Sequence, residues 1–398
     1  MIVFLYLLGM ASLIFGIFPL FFTIRLKKYV QNALAETIHP YTPKVSLILP
    51  CKGLDPGFEK NIHALLTQDY PDYEAIFVTA TDDDPAYLFL DDLIKKQSYN
   101  VPIKLVVAGI SQIRGQKINN MLHAITNARK ETEVYAFVDS DIRPEKDFLS
   151  NLVKPLQNAN VGVTTGIRWY LPRKKNLGSI LQAIWAAGAY PLLIDQRHNF
   201  AWGGANAIKK NTFEKADIAT LLKYSISDTF AITNGVKNIN LEVHFVPQCV
   251  VVSHENSTLS ATIEWTNRQT IISRVYSPAF WWAVFVTYSF ANTMLLVGTV
   301  TFTVGMLISP PLVIPSIMIL TLIPLQICNA SLLLPIVTRI LVNHKEQIDK
   351  LKWNFYLTAP LTSILIMINS IVSLLTNEIT WRGVRYKLIS PNETKILN

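Results

Sequence analysis

Two aspartates one residue apart, Asp139 and Asp141, are the residues of this chain best suited to chemistry. They follow an apolar run, VYAFV, which predicts a buried β-strand ending in DSD. Carboxylates at the carboxyl end of such a strand lie where ligands bind in α/β sheets, and there they can hold Mg²⁺ or Mn²⁺ against a diphosphate. A strand followed by an acidic turn is the simpler interpretation of this pair taken alone.

Two earlier apolar runs, at 45–49 and 74–79, also end in polar loops. The charged residues in the loops after these two runs are Lys52 and Asp55, then Asp82, Asp83 and Asp84. Parallel strands bring their carboxyl ends to one edge of a sheet, so these side chains are expected close to Asp139. Carboxylates there can accept hydrogen bonds from uracil N3–H or ribose hydroxyls, which predicts a nucleotide site.

Asp228 is the candidate general base. It stands in YSISDTF, after a Gly-rich stretch, WGGA at 202–205, that lets the backbone approach a ligand closely. A carboxylate here would take the proton of an acceptor hydroxyl during in-line attack on an anomeric carbon. The alternative is a helix N-cap, because apolar residues at 230–232 follow it.

Long apolar segments flank these candidates. Residues 1–24 are nearly uncharged and long enough to cross a hydrocarbon core of about 30 Å, and Arg25, Lys27 and Lys28 follow them. We therefore predict an uncleaved anchor over 1–28 with its amino terminus outside. A cleaved signal peptide is the competing interpretation, but no basic segment precedes the apolar run. Further apolar segments lie at 279–307, 311–342 and 355–375.

The third of these later segments has basic residues on both flanks, which predicts that both of its ends are cytosolic. A re-entrant or interfacial helix pair broken at Pro360 would satisfy this, and a plain spanning helix is the alternative. The predicted organisation is an anchor at 1–28, an α/β domain at 29–278, a membrane region at 279–376 with two spans plus this segment, and a cytosolic tail at 377–398.

The net charge of +8 is concentrated beside the apolar segments, which favours an anionic membrane surface over nucleic acid as the partner. The sequence contains no recognisable nucleic-acid-binding motif. Its three cysteines, Cys51, Cys249 and Cys328, match no metal or redox spacing and suit a reducing cytosol.

Six motifs occur in the order typical of family 2 glycosyltransferases with the GT-A fold, and they most resemble the ceramide glucosyltransferase type. They are LILPCKGLDP at 47–56, QDYPDYE at 68–74, DDPA at 83–86, QKINNML at 116–122, DSDIR at 139–143 and WRGVRYKL at 381–388. The resemblance implies a GT-A (Rossmann-like) cytosolic domain between membrane helices. It also implies an inverting enzyme that moves a hexose from a UDP-sugar to a hydroxyl of a ceramide-like or other membrane lipid, in a bacterial inner membrane rather than a Golgi membrane.

The resemblance also implies roles for individual residues. These are nucleotide contact for Asp84 or its neighbours, metal ligation for Asp139 and Asp141, proton abstraction for Asp228, phosphate neutralisation for Lys52 and Lys117, and a diphosphate clamp for Arg382 and Arg385. Ordinary solvated lysines and arginines that bind lipid headgroups are the alternatives for the basic residues. The two arginines would reach the site only if the tail folds back.

The chain departs from the family pattern at two places. Ser227 replaces an acidic residue, and ATIEW at 261–265 replaces (Q/R)xxRW. Trp265 remains as a platform for the acceptor, and Arg268, Gln269 or Arg274 is a candidate replacement for the missing residues. Two other classes stay open: a processive polysaccharide synthase, which would need more spans and the intact motif, and a non-catalytic scaffold of the same fold. The sugar, the acceptor and the oligomeric state are left open.

Overall fold

The computed structural model describes residues 2–36, 41–96 and 99–397. Met1 of the predicted anchor, residues 37–40 and 97–98 of the predicted α/β domain, and Asn398 of the predicted tail lie outside these ranges. The described residues form two compact units. The first comprises 2–32, Tyr170–Leu192 and His254–Thr376, and the second comprises the described parts of 33–169, 193–253 and 377–397.

The strands and helices of the described chain alternate up to residue 253, after which helices dominate. The strands are β1 (Val45–Pro50), β2 (Tyr73–Thr79), β3 (Ile103–Val107), β4 (Val134–Val138), β5 (Val161–Tyr170), β6 (Ala205–Lys209), β7 (Glu242–Ser253), β8 (Glu378–Trp381), β9 (Val384–Ser390) and β10 (Glu393–Leu397). The α-helices are α1 (Ile2–Ala35), α2 (Phe58–Leu66), α3 (Pro85–Lys96), α4 (Gln116–Asn127), α5 (Phe148–Val153), α6 (Leu177–Ala187), α7 (Lys210–Lys215), α8 (Ile218–Leu222), α9 (Asp228–Asn238), α10 (Leu259–Tyr276), α11 (Pro278–Leu307), α12 (Val313–Leu320), α13 (Leu322–Ile340) and α14 (Lys345–Leu375).

The second unit is built on a mixed sheet with the strand order β3-β2-β1-β4-β6-β5-β7. The strands β3, β2, β1 and β4 are parallel to one another, whereas β6 is antiparallel to both β4 and β5. The carboxyl ends of the four parallel strands therefore share one edge with the end of β5 and the start of β6. This confirms the α/β prediction and the predicted direction of the strands that carry the candidate site.

Both faces of this sheet are covered, which explains its continuous apolar strands. Alternate residues of β1 point to opposite faces, so Leu47 and Leu49 pack with α2, α3 and α5 while Ile48 packs with α4 and α9. All three side chains are buried. A strand with both faces buried loses the apolar–polar alternation of a half-exposed strand.

Glu74 is a buried carboxylate within β2. Its Oε1 accepts hydrogen bonds from the Ser46 hydroxyl at 2.6 Å and the Arg129 backbone N–H at 2.8 Å, and Lys104 Nζ lies 2.9 Å from its Oε2. Burial opposes ionisation of Glu74, but these donors outweigh it and lower the pKa of Glu74. The ionised carboxylate thus links β1, β2 and β3 to the loop that follows α4.

The carboxyl-terminal residues form a second sheet in the same unit. The strands β8, β9 and β10 are antiparallel, in the order β10-β9-β8, and Arg382 and Gly383 form the turn between the first two. Tyr386 of β9 is buried, and its hydroxyl accepts a hydrogen bond from the backbone N–H of Gln116 at 3.4 Å. The tail of this unit is therefore folded against the start of α4.

The first unit consists of helices. Five stretches within the described chain are long and apolar enough to span a membrane: Ile2–Ala35, Leu177–Ile194, Pro278–Leu307, Pro310–Ile340 and Val342–Leu375. The first, third and fourth correspond to segments predicted from the sequence, whereas Leu177–Ile194 was missed. Long apolar helices of this kind are compatible with a membrane protein.

The segment predicted as a helix pair broken at Pro360 is one continuous helix, α14, and Pro360 lies inside it. Two polar side chains of α14 form hydrogen bonds with neighbouring helices. Asn369 donates to the Thr266 hydroxyl at 3.0 Å, and the indole N–H of Trp281 donates to Ser373 at 3.0 Å. Polar side chains between apolar helices are commonly satisfied in this way, so they do not require a re-entrant turn.

The helices α6 and α10 belong to the first unit, although the sequence prediction included them in a domain at 29–278. Backbone and side-chain contacts join them: the hydroxyl of Thr262 on α10 donates to the carbonyl of Gly178 on α6 at 2.9 Å. A methyl group at Gly178 would overlap the backbone of Thr258, so glycine permits this close approach.

Candidate active site

The candidate site lies at the edge where the parallel strands end. Asp139 and Asp141 directly follow β4, and the backbone N–H of Asp139 donates to the carbonyl of Gly204 at 3.1 Å. Arg168 reaches the same edge from the end of β5. Residues separated by up to about a hundred positions in the chain therefore meet here because of the strand order.

Lys117, the second residue of α4, connects two carboxylates of the site. Its Nζ lies 2.8 Å from Asp139 Oδ1 and 3.0 Å from Asp228 Oδ2, and it donates to the carbonyl of Gly203 at 2.9 Å. Two carboxylates and one carbonyl oxygen thus surround the ammonium group. Burial opposes the charge of Lys117, but Asp139 and Asp228 outweigh it and raise the pKa of Lys117.

The other polar residues of QKINNML fasten the backbone around Lys117. The Gln116 amide donates to the carbonyl of Gly109 at 2.9 Å, and the Asn120 amide donates to the carbonyl of Val78 at 3.1 Å. The start of α4 is thereby bonded to the loop after β3 and to the end of β2. These bonds fix the start of α4, which carries Lys117, at this edge of the sheet.

Arg168 binds both aspartates that follow β4. Its Nη1 and Nη2 lie 2.9 and 2.5 Å from the two oxygens of Asp141, and Nη2 also lies 3.3 Å from Asp139 Oδ2. The guanidinium lies over the ring of Trp202, 5.4 Å from its centroid. Burial opposes ionisation of Asp141, but Arg168 outweighs it and lowers the pKa of Asp141, whereas burial raises the pKa of Asp139.

Asp228 is the first residue of α9 and is 3% exposed. The N-cap of this helix is Ser227, whose hydroxyl accepts from the backbone N–H of Phe230 at 3.5 Å, so the N-cap alternative for Asp228 is wrong. A methyl group at Gly203 would overlap the Asp228 carboxylate. Glycine in WGGA therefore makes room for this carboxylate beside Lys117.

The loops after β1 and β2 are tied together beside these residues. Asp84 Oδ1 accepts from the backbone N–H of Gly53 at 2.8 Å and of Ala86 at 2.9 Å. Asp82 and Asp83, in contrast, are exposed. Of the predicted acidic cluster, Asp84 is the member that the structure fixes within this edge.

The folded-back tail contributes Arg382. Its guanidinium forms two hydrogen bonds with Asp55, at 2.8 and 3.0 Å, and its carbonyl accepts from Lys52 Nζ at 2.6 Å. Arg385 pairs instead with Glu378 at 3.0 Å, within the tail sheet, where both side chains are largely exposed. The two arginines of WRGVRYKL thus differ in position: Arg382 contacts the loop after β1 and Arg385 does not make that contact.

Asp139 and Asp141 offer hard carboxylate oxygens for a divalent cation, and the Arg168 guanidinium contacts both of them. Among the described residues no group of three or more His, Cys, Asp or Glu side chains forms a metal site. Two carboxylates with phosphate oxygens and water as the remaining ligands is a common arrangement for Mg²⁺. The residues present therefore fit such an ion when a diphosphate accompanies it.

The sequence profile of glycosyl transferase family 21 matches residues 5–394, which is nearly the whole chain. The chain belongs to glycosyl transferase family 21. This family 21 membership confirms the resemblance to the ceramide glucosyltransferase type.

One curated relative of this family 21 chain is ceramide glucosyltransferase 1 of Caenorhabditis elegans, which is 32% identical over 90 residues. The match covers 23% of this chain and 19% of the relative, so most of the relative's length lies outside it.

Similar solved structures include a mannosyltransferase from Pyrobaculum calidifontis in complex with GDP-Man and Mn²⁺, with 16% identity, a TM-score of 0.46 and coverage of 92% of this chain and 99% of that chain. Glucosyl-3-phosphoglycerate synthase from Mycobacterium tuberculosis has 14% identity, a TM-score of 0.38 and coverage of 62% and 82%. Likenesses this distant say nothing about the site.

Trp265 and Arg268, the two remaining predicted site residues, lie on α10 in the first unit. The Trp265 ring packs edge-to-face against Trp185 of α6 and Tyr170, with centroid distances of 5.1 and 5.6 Å. The predicted acceptor platform is thus part of an aromatic cluster. Its role in acceptor binding stays a prediction.

Sequence reasoning missed Arg168. The signal was present, since an arginine inside the otherwise uncharged run VGVTTGIRWY must find a partner if the strand is buried. Asp55 was also missed as a partner for the tail, because nothing in its own neighbourhood points to a residue more than 300 positions away.

Proposed function

We propose that the protein is a membrane-bound, inverting hexosyltransferase that moves a sugar from a UDP-sugar to a hydroxyl of a membrane lipid. The observation that carries this proposal is the bridge from Asp139 through Lys117 to Asp228, with Asp141 alongside. It brings together Asp139, a candidate ligand for the cation that accompanies the donor diphosphate, and Asp228, the candidate base, at one edge of one sheet. Family 21 membership supports the same activity.

In this mechanism Asp228 accepts the proton of the acceptor hydroxyl. The acceptor oxygen attacks the anomeric carbon from the face opposite the diphosphate, and the new carbon–oxygen bond forms as the bond to the β-phosphate oxygen breaks. The electron pair of the broken bond stays on UDP, and the sugar carbon is inverted. Lys117 holds the Asp228 carboxylate in place before the acceptor arrives.

Asp139 and Asp141 would hold Mg²⁺ or Mn²⁺, which when bound stabilises the negative charge of the leaving diphosphate. The chain supplies further positive groups close by. Arg382 would bind a phosphate oxygen, since a guanidinium fork that now pairs with Asp55 fits phosphate equally well. Lys52 and the Asp84 loop would contact the nucleotide, with Asp84 also keeping that loop in position.

We further propose that the acceptor is a ceramide-like or other membrane lipid and that the second unit faces the cytosol, in a bacterial inner membrane. The apolar helices of the first unit support a membrane location. Three basic residues that follow the apolar run within α1, Arg25, Lys27 and Lys28, support the cytosolic orientation. The Trp265 cluster would bind the acceptor.

The test is sugar transfer by membranes that contain the full-length protein, incubated with a panel of labelled UDP-hexoses and Mn²⁺, followed by lipid extraction. We expect one labelled glycolipid carrying a single sugar, and a loss of about 10²–10⁴-fold in rate for Asp228→Asn. Asp91→Asn, an exposed aspartate on α3, is the matched control and should retain full activity.

Unchanged transfer by a folded Asp228→Asn variant would disprove the assignment of the base. A labelled polymer in place of a glycolipid would identify a processive synthase. Binding of UDP without transfer from any UDP-hexose would identify a non-catalytic protein.

A further inference from the structure

Arg168 engages the two aspartates that the proposed function assigns to a cation. Both oxygens of Asp141 face its guanidinium, at 2.9 and 2.5 Å. Of the Asp139 oxygens, Oδ2 lies 3.3 Å from Arg168 and Oδ1 lies 2.8 Å from Lys117. All four carboxylate oxygens of the pair therefore already face a positive group of the chain.

The position of Arg168 is fixed by the fold. It lies in β5, its side chain is 8% exposed, and its guanidinium rests on the ring of Trp202. An exposed arginine could leave its partner at little cost, but a buried guanidinium that leaves one carboxylate needs another anion to replace it. A phosphate group of a bound ligand would supply that anion.

The charges indicate which ligand that is. Asp139, Asp141 and Asp228 carry three negative charges, and Lys117 and Arg168 carry two positive charges, so the cluster has one excess negative charge. A divalent cation alone would give the cluster one excess positive charge, and it would lie next to the buried Arg168 guanidinium, which repels it. A nucleoside diphosphate adds negative charge, and its phosphate oxygens match the guanidinium fork as well as a carboxylate does.

We propose that Arg168 competes with the divalent cation for Asp139 and Asp141, so that the cation binds together with the donor diphosphate and only weakly before it. In this scheme Arg168 keeps the two carboxylates together in the donor-free protein and binds phosphate when the donor arrives. The inference rests on the proposed use of Asp139 and Asp141 as cation ligands.

The experiment measures Mn²⁺ binding directly, by the electron paramagnetic resonance signal of free Mn²⁺, with the full-length protein in detergent micelles. Titrations are made without nucleotide and with UDP, each against a protein-free blank containing the same UDP. For the unaltered protein we expect UDP to tighten Mn²⁺ binding by about 5- to 150-fold, the usual range for coupled ligands. Equal affinity with and without UDP would overturn the proposal, and this arm needs no variant.

The decisive variant is Arg168→Met, which keeps an apolar stem over Trp202 and removes the charge. We expect it to bind Mn²⁺ without UDP about 5- to 150-fold more tightly than the unaltered protein and to lose most of the effect of UDP. Arg168→Lys, which keeps the charge without the fork, should lie in between. Arg129→Met, which breaks a partly buried arginine–aspartate pair with Asp72, is the control and should bind Mn²⁺ as the unaltered protein does.

Asp141→Asn separates the two proposals. In one outcome Asp141→Asn loses Mn²⁺ binding, but the Arg168→Met and Arg168→Lys variants are folded and bind Mn²⁺ no more tightly than the unaltered protein. That outcome disproves the competition by Arg168 and leaves the cation site in place. If Asp141→Asn binds Mn²⁺ as well as the unaltered protein does, the cation site itself is wrong, and the inference falls with it.

Discussion

Replacing Lys117 with methionine tests the central contact of the site. The substitution keeps most of the apolar stem and removes the ammonium group, whose nitrogen lies 2.8 Å from Asp139 and 3.0 Å from Asp228. Asp139 retains Arg168 as a positive neighbour at 3.3 Å. Asp228, only 3% exposed, loses the ion pair that connects it to the rest of the cluster.

The expected loss in the free energy of unfolding follows from the uncompensated charge of Asp228. Removing one partner of a buried ion pair typically costs about 3–5 kcal/mol, because the remaining charge stays buried without compensation. Lys117 is 18% exposed in its side chain and Asp228 4%, so water screens this pair poorly. We expect Lys117→Met to lose stability in that range. The double variant Lys117→Met/Asp228→Asn should recover part of it, since its second change removes the uncompensated charge.

The assay is thermal unfolding of the purified full-length protein in detergent, followed by intrinsic fluorescence. Lys95→Met is the matched control: it also breaks a close lysine–aspartate pair, at 2.6 Å, but on the surface of α3, and its melting temperature should be nearly unchanged. The reasoning would be refuted if Lys117→Met melted like Lys95→Met, or if adding Asp228→Asn lowered the stability of Lys117→Met still further.

Three further predictions follow from other contacts. Gly203→Ala places a methyl group against the Asp228 carboxylate, so it should lower the free energy of unfolding by about 1–3 kcal/mol and reduce the rate of sugar transfer. A variant with full activity would contradict this. Arg382→Gln should raise the KM for the UDP-sugar about tenfold, whereas Arg385→Gln should leave this KM unchanged. Equal effects of the two substitutions in steady-state kinetics would exclude a specific role for Arg382. The pKa of Glu74 is lower in the folded protein than in the unfolded chain, so its ionised carboxylate stabilises the fold at pH values above the unfolded pKa. This stabilisation is lost as the pH falls through the folded pKa. The melting temperature should therefore decrease below about pH 4, and decrease less in Glu74→Gln.

The apolar pattern was enough to predict the main sheet and its polar edge. VSLIL and VYAFV are unbroken apolar runs because strands covered on both faces have no solvent side. Once such strands are taken as parallel, the residues that follow them must share an edge, and Lys52, Asp84 and Asp139 were predicted correctly to follow strands that end there. Three of the apolar helices were likewise evident from length and composition.

The partners of these residues required the folded chain. By sequence Arg382 was a candidate diphosphate clamp with headgroup binding as the alternative, and the folded tail brings it against the loop after β1. Pro360 suggested a helix pair, whereas α14 is continuous and two of its polar side chains bond to α10 and α11. Arg168 looked like one charged residue in a strand, and its two aspartates lie 27 and 29 positions away. Periodicity reports only whether a segment is buried; which charges meet depends on where two distant segments cross, and that is a property of the packed molecule.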